Sequence, residues 1–380
     1  MTDIALANFI FYLSLFLKLM IILYTMAFLN KSKYIHGYNK RVSLLLWLIL
    51  LLLCVYAVSG DYWTYKYWYE EGGDYYDAHM EPIWNYIRKI IPWGFSVFRA
   101  VVWGAGLLLI AKIIDYCHVD KALTYCLIGV FYISYFSYAR AAVALAFLAF
   151  GFVFLYRSKE EVNSNRSRWL LFILFAWIGL LMHRSMYIII PALLLPLWIK
   201  LNRQSITVLI ILFPLLSFLF NVFFPYISSY AIESELVGDS ASNYLTLEYD
   251  KTNRFLKELF DRLPMILFYL MALFKLYKNK DIPDIIKKVS TAAFFILYTG
   301  FLFSTITNGN GMTFFYRTLN MAYPFMIITT AYTIHNVNQM KNESLFFVVV
   351  ALLMLLINIR FYIFINPNYI YEQMMNRYLL

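Results

Sequence analysis

Apolar runs long enough to enter a lipid bilayer recur about twelve times along this chain, and that recurrence limits what it can fold into. They fall near 8–29, 42–59, 95–114, 122–139, 141–156, 169–182, 185–199, 205–224, 263–278, 289–307, 317–336 and 345–363. In hydrocarbon the backbone must satisfy its own N–H and C=O groups, which leaves helices for runs of this length. The expectation is an all-α, polytopic integral membrane protein forming one domain over 1–380. It has about twelve transmembrane helices, some short or re-entrant, and two larger outer loops. Composition agrees: 14% of residues are charged, against about 25% in a soluble domain. The first run follows Asp3 with no basic cluster before it, so it is expected to stay as a span rather than be cleaved. Cys54, Cys117 and Cys126 are odd in number and scattered, which gives neither a disulfide framework nor a zinc pattern.

Loop charge orients the spans. Lys31, Lys33, Lys40 and Arg41 follow the first run, Arg157, Lys159, Arg166 and Arg168 the fifth, and Lys275, Lys278, Lys280, Lys287 and Lys288 surround the connection after the ninth. Basic loops stay cytoplasmic, so both termini, residues 60–94 and residues 225–262 are expected outside. On that topology 15 of the 22 acidic residues lie on the outer side. The net charge of +10 then reports cytoplasmic loops and excludes a nucleic-acid partner as its explanation.

One polar pair, His183-Arg184, interrupts the apolar stretch from Leu170 to Lys200, leaving arms of 14 and 15 residues. Each arm reaches only ~21–22 Å against a hydrocarbon core of ~30 Å. The turn is therefore expected at the floor of a water-filled pocket within the membrane, where an arginine is costly and marks function. Arg140, between the fourth and fifth runs, and Arg317, at the head of the eleventh, are expected at outer turns on the same side. Singly, each arginine has the plain alternative of snorkelling to headgroups. Jointly, three basic sites facing one side suit a lipid-linked diphosphate, whose oxygens match the guanidinium fork. The 60–94 loop sets aromatic rings beside carboxylates: Asp61, Tyr62, Tyr65, then Glu81 and Trp84. Rings pack on sugar C–H faces and carboxylates accept hydroxyl hydrogen bonds. An interfacial aromatic belt accounts for the rings alone, not for the carboxylates.

Taken in order, Gly60-Asp61-Tyr62-x-x-Tyr65, Glu81-Pro82, Arg140-Ala141-Ala142-Val143-Ala144-Leu145-Ala146, Leu181-Met182-His183-Arg184-Ser185 and Arg317 with Tyr323 resemble the EpsG-like branch of the Wzy-type polysaccharide polymerases. The likeness covers roughly 42–330. The chain departs from that pattern where Ala141 replaces a usual Gln and where Arg184 stands between His183 and Ser185. The resemblance implies transfer of a glycan from undecaprenyl diphosphate to a sugar hydroxyl of another lipid-linked repeat unit, at the outer face of a bacterial inner membrane, in O-antigen or exopolysaccharide synthesis. Such a donor is already activated, so no cofactor is implied, and a metal is not demanded. Charge stabilisation of the leaving diphosphate falls to Arg140, Arg184 and Arg317. Asp61 or Glu81 is the expected base, with His183 as the alternative, and Tyr62, Tyr65 and Trp84 are the expected sugar-binding rings. Membrane lipids and a separate chain-length regulator are the further partners implied. Two other functions fit the same outer basic sites: an O-antigen ligase, or another polyprenyl-linked glycosyltransferase, and a lipid-linked oligosaccharide flippase. A flippase would place charge along a cavity open to both faces, rather than at outer turns.

Overall fold

The computed structural model describes a few positions between 13 and 21 and the segments 39–56, 60–72, 80–136, 139–157, 165–233, 251–278, 281–306 and 311–336. Regular structure among these residues is helical, with no strand. The principal helices are α1 (Asn39–Tyr56), α2 (Gly60–Glu70), α3 (Pro82–Ile90), α4 (Phe95–Tyr116), α5 (Lys121–Phe131), α6 (Arg140–Tyr156), α7 (Asn165–Met182), α8 (Arg203–Glu233), α9 (Lys251–Leu276), α10 (Asp284–Ser304) and α11 (Gly311–Asn336). The expected apolar run at 345–363 and most of that at 8–29 lie outside the described residues.

Among the described residues three helices are long and apolar enough to cross a membrane: Phe95–Tyr116, Arg203–Tyr226 and Asp284–Ser304. The count of about twelve spans is therefore not reached among the described residues, for identifiable reasons. The run at 122–139 is divided at Tyr132 into α5 and a single turn, Ile133–Phe136. The run at 185–199 is broken into a 3₁₀ stretch Arg184–Ile189, one α turn Ile190–Leu194 and a 3₁₀ turn Leu195–Leu197. Pro191 and Pro196 enter it near the starts of the last two pieces, where a missing N–H is tolerated but the preceding helix cannot continue. The arm before His183 is longer than expected, because α7 starts at Asn165 and is 18 residues long, about 27 Å. The stretches expected as outer loops also contain helix. Residues 60–94 hold α2 and α3, α8 runs on to Glu233, and α9 begins at Lys251.

The chain divides into two compact units, residues 1–147 with 338–380, and residues 148–337, the boundary falling inside α6. In the first unit α1 packs on α4 and α5. Gly106 on α4 permits a close approach: a Cβ there would meet the Phe136 ring at 3.0 Å and Val143 at 3.5 Å. Trp103, one turn earlier, donates its indole N–H to the Phe136 carbonyl at 2.6 Å. This bond secures the segment leading into α6.

In the second unit Gly151 lets α7 lie against the end of α6, with the Phe172 carbonyl 3.1 Å from where a Cβ would stand. Arg168 was expected in a cytoplasmic basic loop. It is instead buried, and donates from Nη2 to the Leu155 carbonyl in the last turn of α6, the place where a cation complements the helix dipole. The broken 184–197 stretch is tied in by the Tyr156 hydroxyl, which donates to the Leu193 carbonyl. Helices α9 and α10 both pack on α11, and Tyr269 donates to the Ser290 carbonyl across them at 2.7 Å. Helix α8 touches α10 along one stripe, through Phe213 on Tyr298 and Phe220 on Phe303.

Candidate functional site

Of the acidic and aromatic residues of 60–94, the first unit brings Glu81 and Tyr65 together on Arg140. Pro82 starts α3, which leaves Glu81 as the extended residue before it (φ −59°, ψ 137°). The Glu81 carbonyl accepts the Trp84 N–H at 2.9 Å, but its carboxylate does not cap the helix. It pairs instead with Nη1 of Arg140, the first residue of α6, and both side chains are more than four-fifths buried. Arg140 also donates from Nε to the Tyr65 hydroxyl at 3.2 Å, and its Cζ stands 5.4 Å from the Tyr65 ring centre. Helix α2, the residue that precedes α3 and the first residue of α6 thus each supply one member of a charged cluster. A charge-assisted pair of this burial is shielded from the screening that empties surface pairs of value.

A packed aromatic floor holds these members. Trp84 is 1% exposed and lies against Phe98 and Trp103, with ring centres 6.3 and 6.1 Å away. Its faces are therefore occupied by protein, unlike the open ring expected of a sugar platform. Trp68 donates to Asn85 Oδ1 at 3.2 Å, joining α2 to α3. Asp61 and Tyr62 belong to the first turns of α2, and their side chains lie outside the described residues. Arg99 passed unnoticed in the sequence, inside a run counted as apolar. It is 2% exposed, with Phe95 and Trp103, one turn away on either side, at 5.7 and 5.2 Å from its Cζ. The signal was present, since it is a single arginine within an apolar run.

The second unit holds the other expected residues. His183 breaks α7 in extended conformation (φ −159°, ψ 111°). Its N–H donates to the Gly179 carbonyl and its own carbonyl accepts from Met186. His183 and Ser185 are half-buried and Arg184 is exposed. The 3₁₀ stretch that follows packs against α11, the helix that carries Arg317, itself half-buried. Helix α11 also meets an arginine that sequence reading left out. Arg262 of α9 donates from Nε to Asn320 Oδ1 at 3.0 Å, and its Cζ lies 5.6 Å from the Tyr316 ring centre. Arg262 adjoins the edge of an expected loop, where arginine reads as an interface residue. The packing of α9 on α11 brings it to Asn320 and Tyr316.

Among the described residues no three His, Cys, Asp or Glu side chains cluster so as to hold a metal ion. The chemistry available is that of guanidinium groups, a carboxylate, an imidazole and phenols. No curated protein and no solved structure matches the chain significantly. A family model, the EpsG family, matches residues 40–376. That match takes in α1 to α11 and every residue placed above, from Tyr65 to Asn320. With apolar helices throughout, this membrane protein belongs to the EpsG family.

Proposed function

We propose that this protein is a polysaccharide polymerase that moves a glycan from undecaprenyl diphosphate onto a sugar hydroxyl of another lipid-linked repeat unit. Membership of the EpsG family over residues 40–376 carries this reading, since it supports a glycosyltransferase-like polymerase function. The acceptor hydroxyl attacks the anomeric carbon of the donor chain. The bond from that carbon to the diphosphate oxygen breaks, the hydroxyl proton passes to a base, and undecaprenyl diphosphate leaves.

Glu81 is the base in this scheme, with Asp61 and His183 as the alternatives. The Glu81–Arg140 pair supports that assignment, because a base must be held in one direction to take a proton. Arg140, already engaged by Glu81 and Tyr65, thereby moves from holding diphosphate to positioning the base. Arg184 and Arg317 are assigned to the diphosphate, where fixed positive charge stabilises the leaving group, and His183 orients a phosphate oxygen. Tyr62 and Tyr65 take the sugar rings. The protein works in the bacterial cytoplasmic membrane with its chemistry at the outer face, in O-antigen or related polymer synthesis, beside a separate chain-length regulator.

A deletion strain tests the reading. A polymerase mutant displays single repeat units without a ladder, a flippase mutant displays none, and a ligase mutant leaves polymer unattached. Either of the last two outcomes removes the proposal. Orientation is tested separately with an impermeant thiol reagent on intact cells, the three native cysteines being buried. A cysteine at exposed Glu71 should react and one at exposed Ser167 should not. The reverse pattern puts the chemistry on the cytoplasmic side.

A further inference from the structure

We infer that α3 is a membrane-surface anchor: its outward face, together with Trp93, lies in the lipid headgroup layer and holds Glu81 at that depth. Helix α4 is long and apolar enough to cross a membrane, and its 22 residues reach ~33 Å against a hydrocarbon core of ~30 Å. A helix so matched to the core has its first residue, Phe95, at the boundary, so the residues just before it lie at the membrane surface. There the chain turns at Gly94, whose φ of 102° is open to glycine for want of a Cβ. The turn is fixed to α2, because the Tyr69 hydroxyl donates to the Ile91 carbonyl and accepts the Gly94 N–H at 3.2 Å. Trp93, between these two bonds, is 71% exposed, an indole held out at the level where indoles prefer to sit. Helix α3 has two apolar sides. Trp84 is core, and at about 100° per residue Ile83, Tyr86 and Ile90 fall together on the far side. Tyr86 and Ile90 are 68% and 71% exposed. A helix solvated on that side would carry polar residues there. The polar positions Asn85 and Lys89 instead fall on one flank between the two faces, where exposed Lys89 can reach a lipid phosphate while its stem crosses the apolar layer. On α4 the exposed Val97, Val101 and Leu108 follow one helical stripe, so Trp93, Ile90 and Tyr86 carry the span's apolar exterior past its end. Glu81 immediately precedes α3, which is nine residues long, ~14 Å. An α3 lying along the surface therefore keeps the Glu81–Arg140 pair at headgroup level. The anchor stands on this geometry alone, and its bearing on catalysis rests on the proposed role of Glu81 as base.

The test is spin labelling of the full-length protein in nanodiscs of phosphatidylethanolamine and phosphatidylglycerol, the three native cysteines being buried. Labels at Tyr86→Cys, Ile90→Cys and Trp93→Cys are expected to collide more with oxygen, which partitions into lipid, than with a water-soluble nickel chelate. A label at exposed Glu71→Cys should show the reverse. Chelate-dominated collisions at all three positions put the face in water and overturn the anchor. Weak collisions with both reagents mean that protein covers the face, a second copy or another chain, and equally overturn it. The consequence for Glu81 is read separately, as polymer formed by purified variants. Ile90→Asp combined with Trp93→Asp is expected to lower the rate by about tenfold to a hundredfold, the scale of a misplaced catalytic group, with binding of farnesyl diphosphate, a short polyprenyl diphosphate, retained. Trp93→Tyr keeps an interfacial ring and should keep the rate. Thermal melting accompanies each variant, and if the double Asp variant does not fold, Ile90→Ser with Trp93→Ser takes its place. A wild-type rate in the folded double variant overturns the claim that the anchor sets the depth of Glu81. No polymer from the wild-type protein removes the polymerase reading, while the spin labels still decide the anchor.

Discussion

Arg140 and Arg262 sit in settings that look alike and differ in one chemical respect. Each leans on a tyrosine ring, at 5.4 and 5.6 Å, and each spends its Nε on a side-chain oxygen, of Tyr65 and Asn320 respectively. Arg140 in addition meets the carboxylate of Glu81, and Arg262 has the Asn320 amide and the Tyr316 ring against its guanidinium. An arginine salted to a carboxylate serves that carboxylate, by fixing its direction. The same side chain thus meets a carboxylate in the first unit and a neutral amide in the second.

The largest effect that can break this contrast is on rate. Glu81→Gln keeps the shape and loses basicity, so polymer formation by the purified enzyme should fall about a hundredfold or more while farnesyl diphosphate still binds. Loss of binding with an unchanged rate would exchange the roles of the two regions. Next comes the cost of separating the pair. Arg140→Ala leaves Glu81 mostly buried without its cation and should destabilise the fold by about 1–3 kcal/mol. Adding Glu81→Ala should restore much of the melting temperature without restoring polymer. A double variant no more stable than Arg140→Ala would show that the pair is not coupled.

Arg317→Lys keeps the charge and loses the fork, and donor binding should weaken about tenfold. Wild-type affinity in that variant would mean a point charge suffices. The smallest effects lie in the rings. Tyr65→Phe removes only the oxygen that meets Arg140 Nε and should cost about 0.5–1.5 kcal/mol, seen as a modest melting shift. Tyr316→Leu removes the cation–π contact of Arg262 for about 0.5–1 kcal/mol. A Tyr65→Phe loss as large as that of Arg140→Ala would place the phenol itself in the chemistry.

A second contrast shows how far hydropathy reads. Phe95–Tyr116 and Arg203–Tyr226 have mean hydropathies of 2.0 and 2.5, yet 56% of the first span's window is buried within the protein and 6% of the second's. Ile211 at 70% exposed and Phe218 at 66% face outward on α8, where the apolar run gave no hint of which side would be covered. Lipid tails are as apolar as leucine, so neither helix needs a different composition for its neighbours. The break at His183 and the charged members Glu81, Arg140 and Arg317 were legible because polar residues stand out in apolar runs. Arg262 and Asn320 were not. One borders a loop, and the other is a neutral amide inside a span.

By itself, then, the sequence determined an all-helical membrane protein of polymerase-like kind, the approximate places of its helices and most of its charged candidates. Period, length and the cost of charge in hydrocarbon act along the chain and can be read there. Only the tertiary structure decided which arginine meets an acid and which meets an amide, that Trp84 is core, and that 184–197 is broken rather than a span. Glu81 and Arg140 are 59 residues apart, and Arg262 and Asn320 are 58 apart. Pairings at such separations follow from how helices pack, which no local pattern records.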